Sequence, residues 1–123
     1  MKRRKVARTI LGVVRLVNGA GATFAPKFMA KRFGVDAEAN PSVIYIMRLF
    51  GVRTIILGLE LLLLKDDDKI RDAVRIGVVI HASDATAAII AGVRGQLPVK
   101  AAATGAVISG VNTALAVAAT AGS

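Results

Sequence analysis

The chain contains no cysteine, no tryptophan and only one histidine, and aromatic residues make up 4% of its 123 residues. Without cysteine it has no disulfides, no thiol nucleophile and no thiolate ligands for a metal ion. His81 alone does not form a metal site without thiols or a second imidazole nearby. The sequence also carries no glycine-rich phosphate loop, nucleophile elbow or paired catalytic carboxylates. It therefore predicts no catalytic, cofactor-binding or metal-ligating residues.

Acidic residues are scarce too: eight Asp and Glu stand against seventeen Lys and Arg, a formal net charge of +9. Such an excess is typical of nucleic-acid-binding proteins, but no aromatic platform or recognition motif accompanies it here. The basic residues lie instead at the ends of apolar segments, where they set the orientation of membrane proteins. Five of them precede the first segment: Lys2, Arg3, Arg4, Lys5 and Arg8. We therefore expect the partner to be a lipid bilayer and not nucleic acid.

Apolar residues are abundant, at 54% of the chain, and the mean hydropathy is +0.60. Four apolar stretches cover most of the sequence, each close to the roughly 20 residues that a helix needs to cross the hydrocarbon core. The pattern predicts an all-α integral membrane protein, a single domain over residues 1–123 folded as an antiparallel four-helix bundle. The transmembrane helices are expected at about residues 6–24, 43–64, 73–93 and 100–121.

Lysine and arginine are distributed unequally between the two expected sides of the membrane. The N-terminus and second loop hold nine of them, against five in the first and third loops. The positive-inside rule then predicts a multi-pass protein of the cell membrane with both termini in the cytoplasm. A secretory signal is the alternative for the first segment, because Ala20–Ala22 resembles a cleavage site. Arg15, however, interrupts the apolar core that such a signal needs.

Two connecting segments carry local signals. In the segment 26–40, Pro26 is suited to open a short interfacial helix and Gly34 to close it, although an ordinary loop is an equal alternative. After the second helix, three consecutive aspartates, Asp66–Asp68, lack the spacing and the glycine of a calcium loop. Capping the next helix and favouring its positive N-terminus explains them more simply than metal binding does.

Charged residues inside the apolar segments are the sharpest feature of the sequence. Such residues are rare at membrane depth and usually face other protein. Read at helical spacing, each predicted helix has one polar stripe, and the stripes together predict an intramembrane polar cluster. Arg53 and Asp84 are the preferred ion pair, because both lie near the middle of adjacent antiparallel helices. The candidate cluster comprises Arg15, Asn18, Arg48, Arg53, Glu60, His81 and Asp84.

The sequence leaves the role of this cluster open. Its pairs either fix the register of the helices or form a site for a ligand or a proton. His81, three residues before Asp84, is either a hydrogen-bonded core residue or half of a proton relay. Small residues at helical spacing also predict close helix packing. The positions expected to pack closely are Gly51, Gly58, Gly105, Ser109 and Gly110.

The segment Arg48–Leu62, RLFGVRTIILGLELL, is followed one helix later by HASDATAAIIAG from His81 to Gly92. Together they resemble a family of small bacterial membrane proteins that contain a domain of unknown function. The resemblance implies four helices, with an R-x-x-G-x-R-x-x-x-x-G pattern in the second and an aspartate in the third. The matching positions are Arg48, Gly51, Arg53, Gly58 and Asp84. The resemblance implies an architecture and no activity.

Two function classes follow from these observations. The first is a non-catalytic accessory subunit or interaction protein that self-associates or binds a larger membrane protein. The second is a binder or transporter of a small molecule, a lipid or a proton through the polar cluster. A membrane enzyme comes third, because no nucleophile is evident beside the buried charges.

Overall fold

The computed structural model of the protein describes residues 2–120. As predicted, the fold is all-α, and the described part of the chain contains five helices and no strand. Their bounds are α1 Lys2–Phe24, α2 Pro26–Arg32, α3 Ser42–Leu63, α4 Asp67–Val93 and α5 Val99–Thr120. By length and composition, α4 and α5 are long and apolar enough to cross a membrane.

The short helix α2 resolves the alternative between a helix and a loop after Pro26. Pro26 occupies the first turn, where a backbone N–H would have no acceptor within the helix, so its absence costs nothing there. Gly34 follows with a φ of +76°, a conformation that costs glycine least, and its N–H bonds the carbonyl of Lys31. The predicted first and second transmembrane segments therefore remain separated by an ordered helical turn.

Helix α4 begins at Asp67, six residues before the start expected from the apolar pattern. The side chain of Asp66 accepts hydrogen bonds from the backbone N–H groups of Asp68, at 2.9 Å, and Lys69, at 3.3 Å. Asp67 and Asp68 then lie in the first turn, where the helix dipole favours negative charge. Residues 67–72 are mostly charged, so apolar periodicity does not indicate that they are helical, although the cap at Asp66 makes them so. The predicted start at residue 73 is therefore corrected to 67.

The other predicted bounds differ from the structure by fewer residues. Helix α1 begins at Lys2 and not near residue 6, because Lys and Arg are good helix formers and extend the first turn into the basic segment. Both bounds of α3 and the start of α5 lie one residue from those expected. Residue 121, the expected end of the last helix, lies outside the described residues.

Glycines bring α1 and α3 close together as an antiparallel pair. A Cβ built on Gly58 would lie 2.9 Å from the carbonyl oxygen of Gly12, and one on Gly51 would lie 2.7 Å from that of Gly19. Gly12 and Gly19 are seven residues apart on α1, and Gly51 and Gly58 are seven residues apart on α3. One face of α1 therefore meets one face of α3. A side chain at Gly19, Gly51 or Gly58 would meet backbone atoms of the facing helix, whereas one at Gly12 would first meet the side chain of Leu62.

Helices α4 and α5 form the second antiparallel pair, and α5 also packs along α1, whereas α3 and α4 touch only sparsely. A small apolar core joins all four long helices: Leu11, Leu61, Ile70, Val74 and Ala116. The outward faces are apolar as well, with exposed residues that include Val17, Ile46, Ile56, Val79 and Val107. Large exposed apolar surfaces commonly mark contacts with a membrane or with another protein.

Candidate functional site

The most buried charged side chain is Arg15 of α1, which is 1% exposed. Its Nε donates to Nε2 of His81 at 3.1 Å, and its Nη2 lies 2.8 Å from the same nitrogen. Its Nη1 donates to the backbone carbonyl oxygen of Leu57 at 3.2 Å. One guanidinium therefore connects α1, α3 and α4.

This geometry defines the chemical state of His81, which is 5% exposed. A guanidinium has only donors, so Nε2 of His81 must accept, and the ring proton lies on Nδ1 of a neutral imidazole. The lone pair that would take up a proton is already occupied by Arg15. His81 is thus engaged as a hydrogen-bond acceptor, the arrangement expected of a hydrogen-bonded core residue.

Room for the guanidinium is provided by Gly77, one helical turn before His81. A Cβ added at Gly77 would lie 2.6 Å from Nη2 of Arg15. The apolar core lies one turn away, because Leu11 is four residues before Arg15 and Ala116 is four residues after Asn112. Asn112 is also buried, and its Oδ1 has no hydrogen-bond partner among the described residues. Arg15, His81 and Asn112 therefore form a buried polar layer one helical turn from the apolar core.

A second polar contact joins α3 and α4 outside this layer. Nη2 of Arg53 lies 3.3 Å from Oδ2 of Asp84, and the guanidinium carbon lies 5.6 Å from the centroid of the Phe50 ring. The two charged side chains are 48% and 34% exposed. Arg53 and Asp84 are thus brought together as the preferred pair from the sequence, but on an open face.

The remaining predicted members of the cluster lie elsewhere. Arg48 and Glu60 are exposed on α3, and Asn18 is half-buried on α1. Within residues 2–120, none of these three side chains makes a hydrogen bond or an ion pair. The single polar band expected from the sequence is therefore two separate contacts, one sealed and one exposed.

Two contributors to the sealed contact, the carbonyl of Leu57 and Gly77, are not among the predicted members of the cluster. The carbonyl of Leu57 belongs to the helix backbone, and any residue type supplies the same acceptor. Gly77 could be recognised because it precedes His81 by one turn and leaves that face without a side chain. Thr54, buried on α3, belongs to the same interior but was not singled out by its sequence context.

The five positions expected to pack closely divide by helix. Gly51 and Gly58 lie against α1, as described above. On α5, a Cβ at Gly105 would meet Ala88 at 3.5 Å, and Ser109 is half-buried. Gly110 is exposed with nothing within 4 Å of its Cβ position, so the expectation of close packing there is corrected. It lies five residues from Gly105, about 140° around the helix, and faces away from α1 and α4.

No three side chains of His, Asp or Glu within the described residues come together as a metal-binding group. Comparisons with known protein families, curated proteins and solved structures found nothing that matches this chain. What the site does chemically follows from its own geometry: one contact holds helices together, and the other presents opposite charges at the surface.

Proposed function

We propose that this chain is an integral membrane protein whose four long helices cross the bilayer as an antiparallel bundle with both ends in the cytoplasm. Support comes from the distribution of polarity, because large apolar residues point outward while Arg15, Thr54, His81 and Asn112 are buried. Helices in hydrocarbon place their polar groups against one another, because lipid tails offer those groups no hydrogen-bonding partner. The excess of Lys and Arg at the N-terminus and second loop supports the orientation.

Within that architecture, the protein acts as a non-catalytic interaction protein that associates laterally through the face formed by α3 and α4. The single observation that carries this proposal is the half-exposed Arg53–Asp84 pair on a surface where, apart from Arg48 and Glu60, the large exposed residues of α3 are apolar. An ion pair facing lipid lacks the water that would solvate its free hydrogen-bonding groups. Covering it with protein provides partners for those groups.

A second copy of this chain is the occupant that fits the face best. An arginine and an aspartate side by side are self-complementary under a two-fold rotation, because each charge then meets its opposite on the partner. A two-fold axis along the membrane normal keeps Arg53 and the partner's Asp84 at the same depth. The sparse contact between α3 and α4 leaves room for that exchange.

Cross-linking of single-cysteine variants tests the association directly, because the native chain contains no cysteine. Leu49→Cys and Ile56→Cys flank Arg53 on the outer face of α3, and both positions are exposed. In membranes treated with a short bismaleimide, both variants should form dimers. Val17→Cys on α1 and Val107→Cys on α5 are matched controls, since they are equally exposed on other faces.

The proposal predicts dimers at positions 49 and 56 and monomers at 17 and 107. Equal cross-linking at all four positions would indicate random collision and contradict it. Cross-links from position 49 or 56 only to a different, larger protein would contradict the choice of a second copy. A monomeric mass in mild detergent together with no cross-links in membranes would contradict lateral association altogether.

The alternative function, binding or transport of a small molecule or proton, rests on the same exposure of Arg53 and Asp84. The sealed contact does not favour it, because Nε2 of His81 is occupied by Arg15. Under this alternative, Asp84→Asn should abolish proton flux in proteoliposomes while leaving the helical content unchanged. Unchanged flux in that variant would eliminate Asp84 as a proton carrier.

A further inference from the structure

A basic cavity of about 550 Å³ lies at the end of the bundle where α1 and α4 begin. Its wall is formed by cationic residues of α1, and Arg71 and Asp67 contribute from the first turns of α4. The cationic residues of α1 that line it are Lys2, Arg4, Lys5 and Arg8. Cavities of this size accommodate small ligands and lipid head groups.

The cationic lining of this cavity is not neutralised from within. Arg71 pairs with Asp68 at 3.4 Å, but in residues 2–120 no carboxylate lies within ion-pair distance of Arg4, Lys5 or Arg8. Among residues 2–120, Asp67 is the one acidic residue in the lining. Like charges gathered around a concave surface focus a positive potential into it, which attracts an anion.

The floor and surroundings of the cavity are apolar. Ile70 and Val74, both buried members of the core, close its inner end together with Ala119. A groove of about 500 Å³ lies beside it, lined largely by apolar residues of α1 and by Leu115 of α5, and Lys2 borders both spaces. A cationic cavity next to an apolar groove matches the two halves of an anionic amphiphile.

We propose that this cavity binds the phosphate group of an anionic lipid, with the head group among the α1 cations and an acyl chain along the neighbouring groove. Lys and Arg are suited to this role, since they donate charge-assisted hydrogen bonds to phosphate oxygens. The groove favours a lipid over free phosphate as the source of that group. The site lies at one end of the bundle and does not depend on the lateral association through α3 and α4.

Native mass spectrometry of the full chain in neutral detergent provides the binding assay. The probes are dioleoylphosphatidylglycerol, the zwitterionic dioleoylphosphatidylcholine of equal chain length, and inorganic phosphate as a competitor. We expect one phosphatidylglycerol bound in preference to phosphatidylcholine. Failure of millimolar phosphate to displace the lipid would support a contribution from the groove. Displacement of the lipid by millimolar phosphate would contradict that contribution and assign the site to phosphate alone.

Two triple variants separate a site from general attraction between opposite charges. Arg4→Gln/Lys5→Gln/Arg8→Gln removes three charges from the cavity. Its matched control, Lys65→Gln/Lys69→Gln/Arg75→Gln, removes three charges from the same end of the molecule but outside the lining. Both leave a formal net charge of +6, since three of the nine excess positive charges are lost.

The cavity triple should weaken phosphatidylglycerol binding by about 100-fold, because each basic residue near an anionic head group contributes about fivefold. The control triple should bind within about twofold of the native chain. Equal losses in the two triples, or no preference for phosphatidylglycerol over phosphatidylcholine in the native chain, would overturn the proposal.

Asp67→Asn should strengthen lipid binding, and a gain in affinity cannot result from unfolding of the variant. Removing the one acidic lining residue should raise the affinity for phosphatidylglycerol about fivefold. Asp72→Asn, an equally exposed change on the same helix but outside the cavity, is its control. Equal affinity in the two aspartate variants would place the lipid elsewhere.

Discussion

The two polar contacts between helices have similar ingredients and different surroundings. Arg15 and His81 are sealed in the bundle, with Gly77 leaving room for the guanidinium and a backbone carbonyl completing its hydrogen bonds. Arg53 and Asp84 are joined by one 3.3 Å contact on an exposed face. The difference shows that burial, more than formal charge, decides whether a polar pair stabilises a fold or remains available to a partner.

The largest effect is expected from Arg15→Ala, which empties the centre of the sealed contact. The variant leaves Nε2 of His81 without its hydrogen-bond donor and creates a cavity. The free energy of unfolding should therefore fall by about 3 kcal/mol. Denaturant unfolding in mild detergent, followed by circular dichroism, measures the loss. Arg48→Ala on the exposed face of α3 is the control and should change stability by less than about 0.5 kcal/mol. Similar losses in both variants would contradict the distinction between sealed and exposed arginines.

A smaller effect is expected from Gly77→Ala, which adds only one methyl group. The new Cβ would push the guanidinium of Arg15 away from His81, so the loss of hydrogen bonds should exceed the gain in helix propensity by about 1 kcal/mol. Gly110→Ala is the matched control, because it adds the same methyl group in open space and should stabilise by up to about 1 kcal/mol. The same unfolding assay measures both. Stabilisation by both substitutions would show that Arg15 moves freely beside Gly77.

The smallest effect on stability is expected at the exposed pair. Arg53→Gln should change the free energy of unfolding of the monomer by about 0 to 1 kcal/mol, since single polar contacts between membrane helices contribute about 0.6 kcal/mol on average. Its effect should appear instead in association, as weaker cross-linking of the Ile56→Cys background. Glu60→Gln, a charge change on the same helix without an ion pair in the described residues, should leave cross-linking unchanged. A large stability loss with unchanged cross-linking would assign Arg53 a structural role.

The sequence was sufficient for the all-α class and for the pairing of Arg53 with Asp84, and the reason is local. Arg53 and Asp84 lie near the middle of two expected segments that are consecutive in the chain, and this predicts their pairing although α4 begins six residues earlier than expected. Arg15 and His81 belong to helices that are not consecutive, and their contact depends on how α1 and α4 are arranged in the bundle. Sequence periodicity predicts that each faces inward without specifying the partner.

Other differences have equally physical causes. The start of α4 was placed too late because Asp66 caps a turn that is charged and not apolar. The sequence predicts close packing at Gly110 because, like Gly105, it is one of several small residues at helical spacing on α5. Small residues lie around most of this helix, and only those that face a neighbouring helix pack closely. The spacing of glycines within one helix indicates close packing but does not identify the facing residues. Which glycine of α1 meets which glycine of α3 depends on the register of the two helices.

The most direct test of the distinction between the two contacts is a double-mutant cycle of unfolding free energies for each. For Arg15→Met and His81→Leu, the single variants should each destabilise the fold, and the double variant should recover at least about 1 kcal/mol of the summed loss. For Arg53→Gln and Asp84→Asn, measured on the monomer, the coupling should lie within about 0.5 kcal/mol of zero. Coupling of equal size at the two pairs, or additive losses at Arg15 and His81, would contradict the account of one sealed and one available contact.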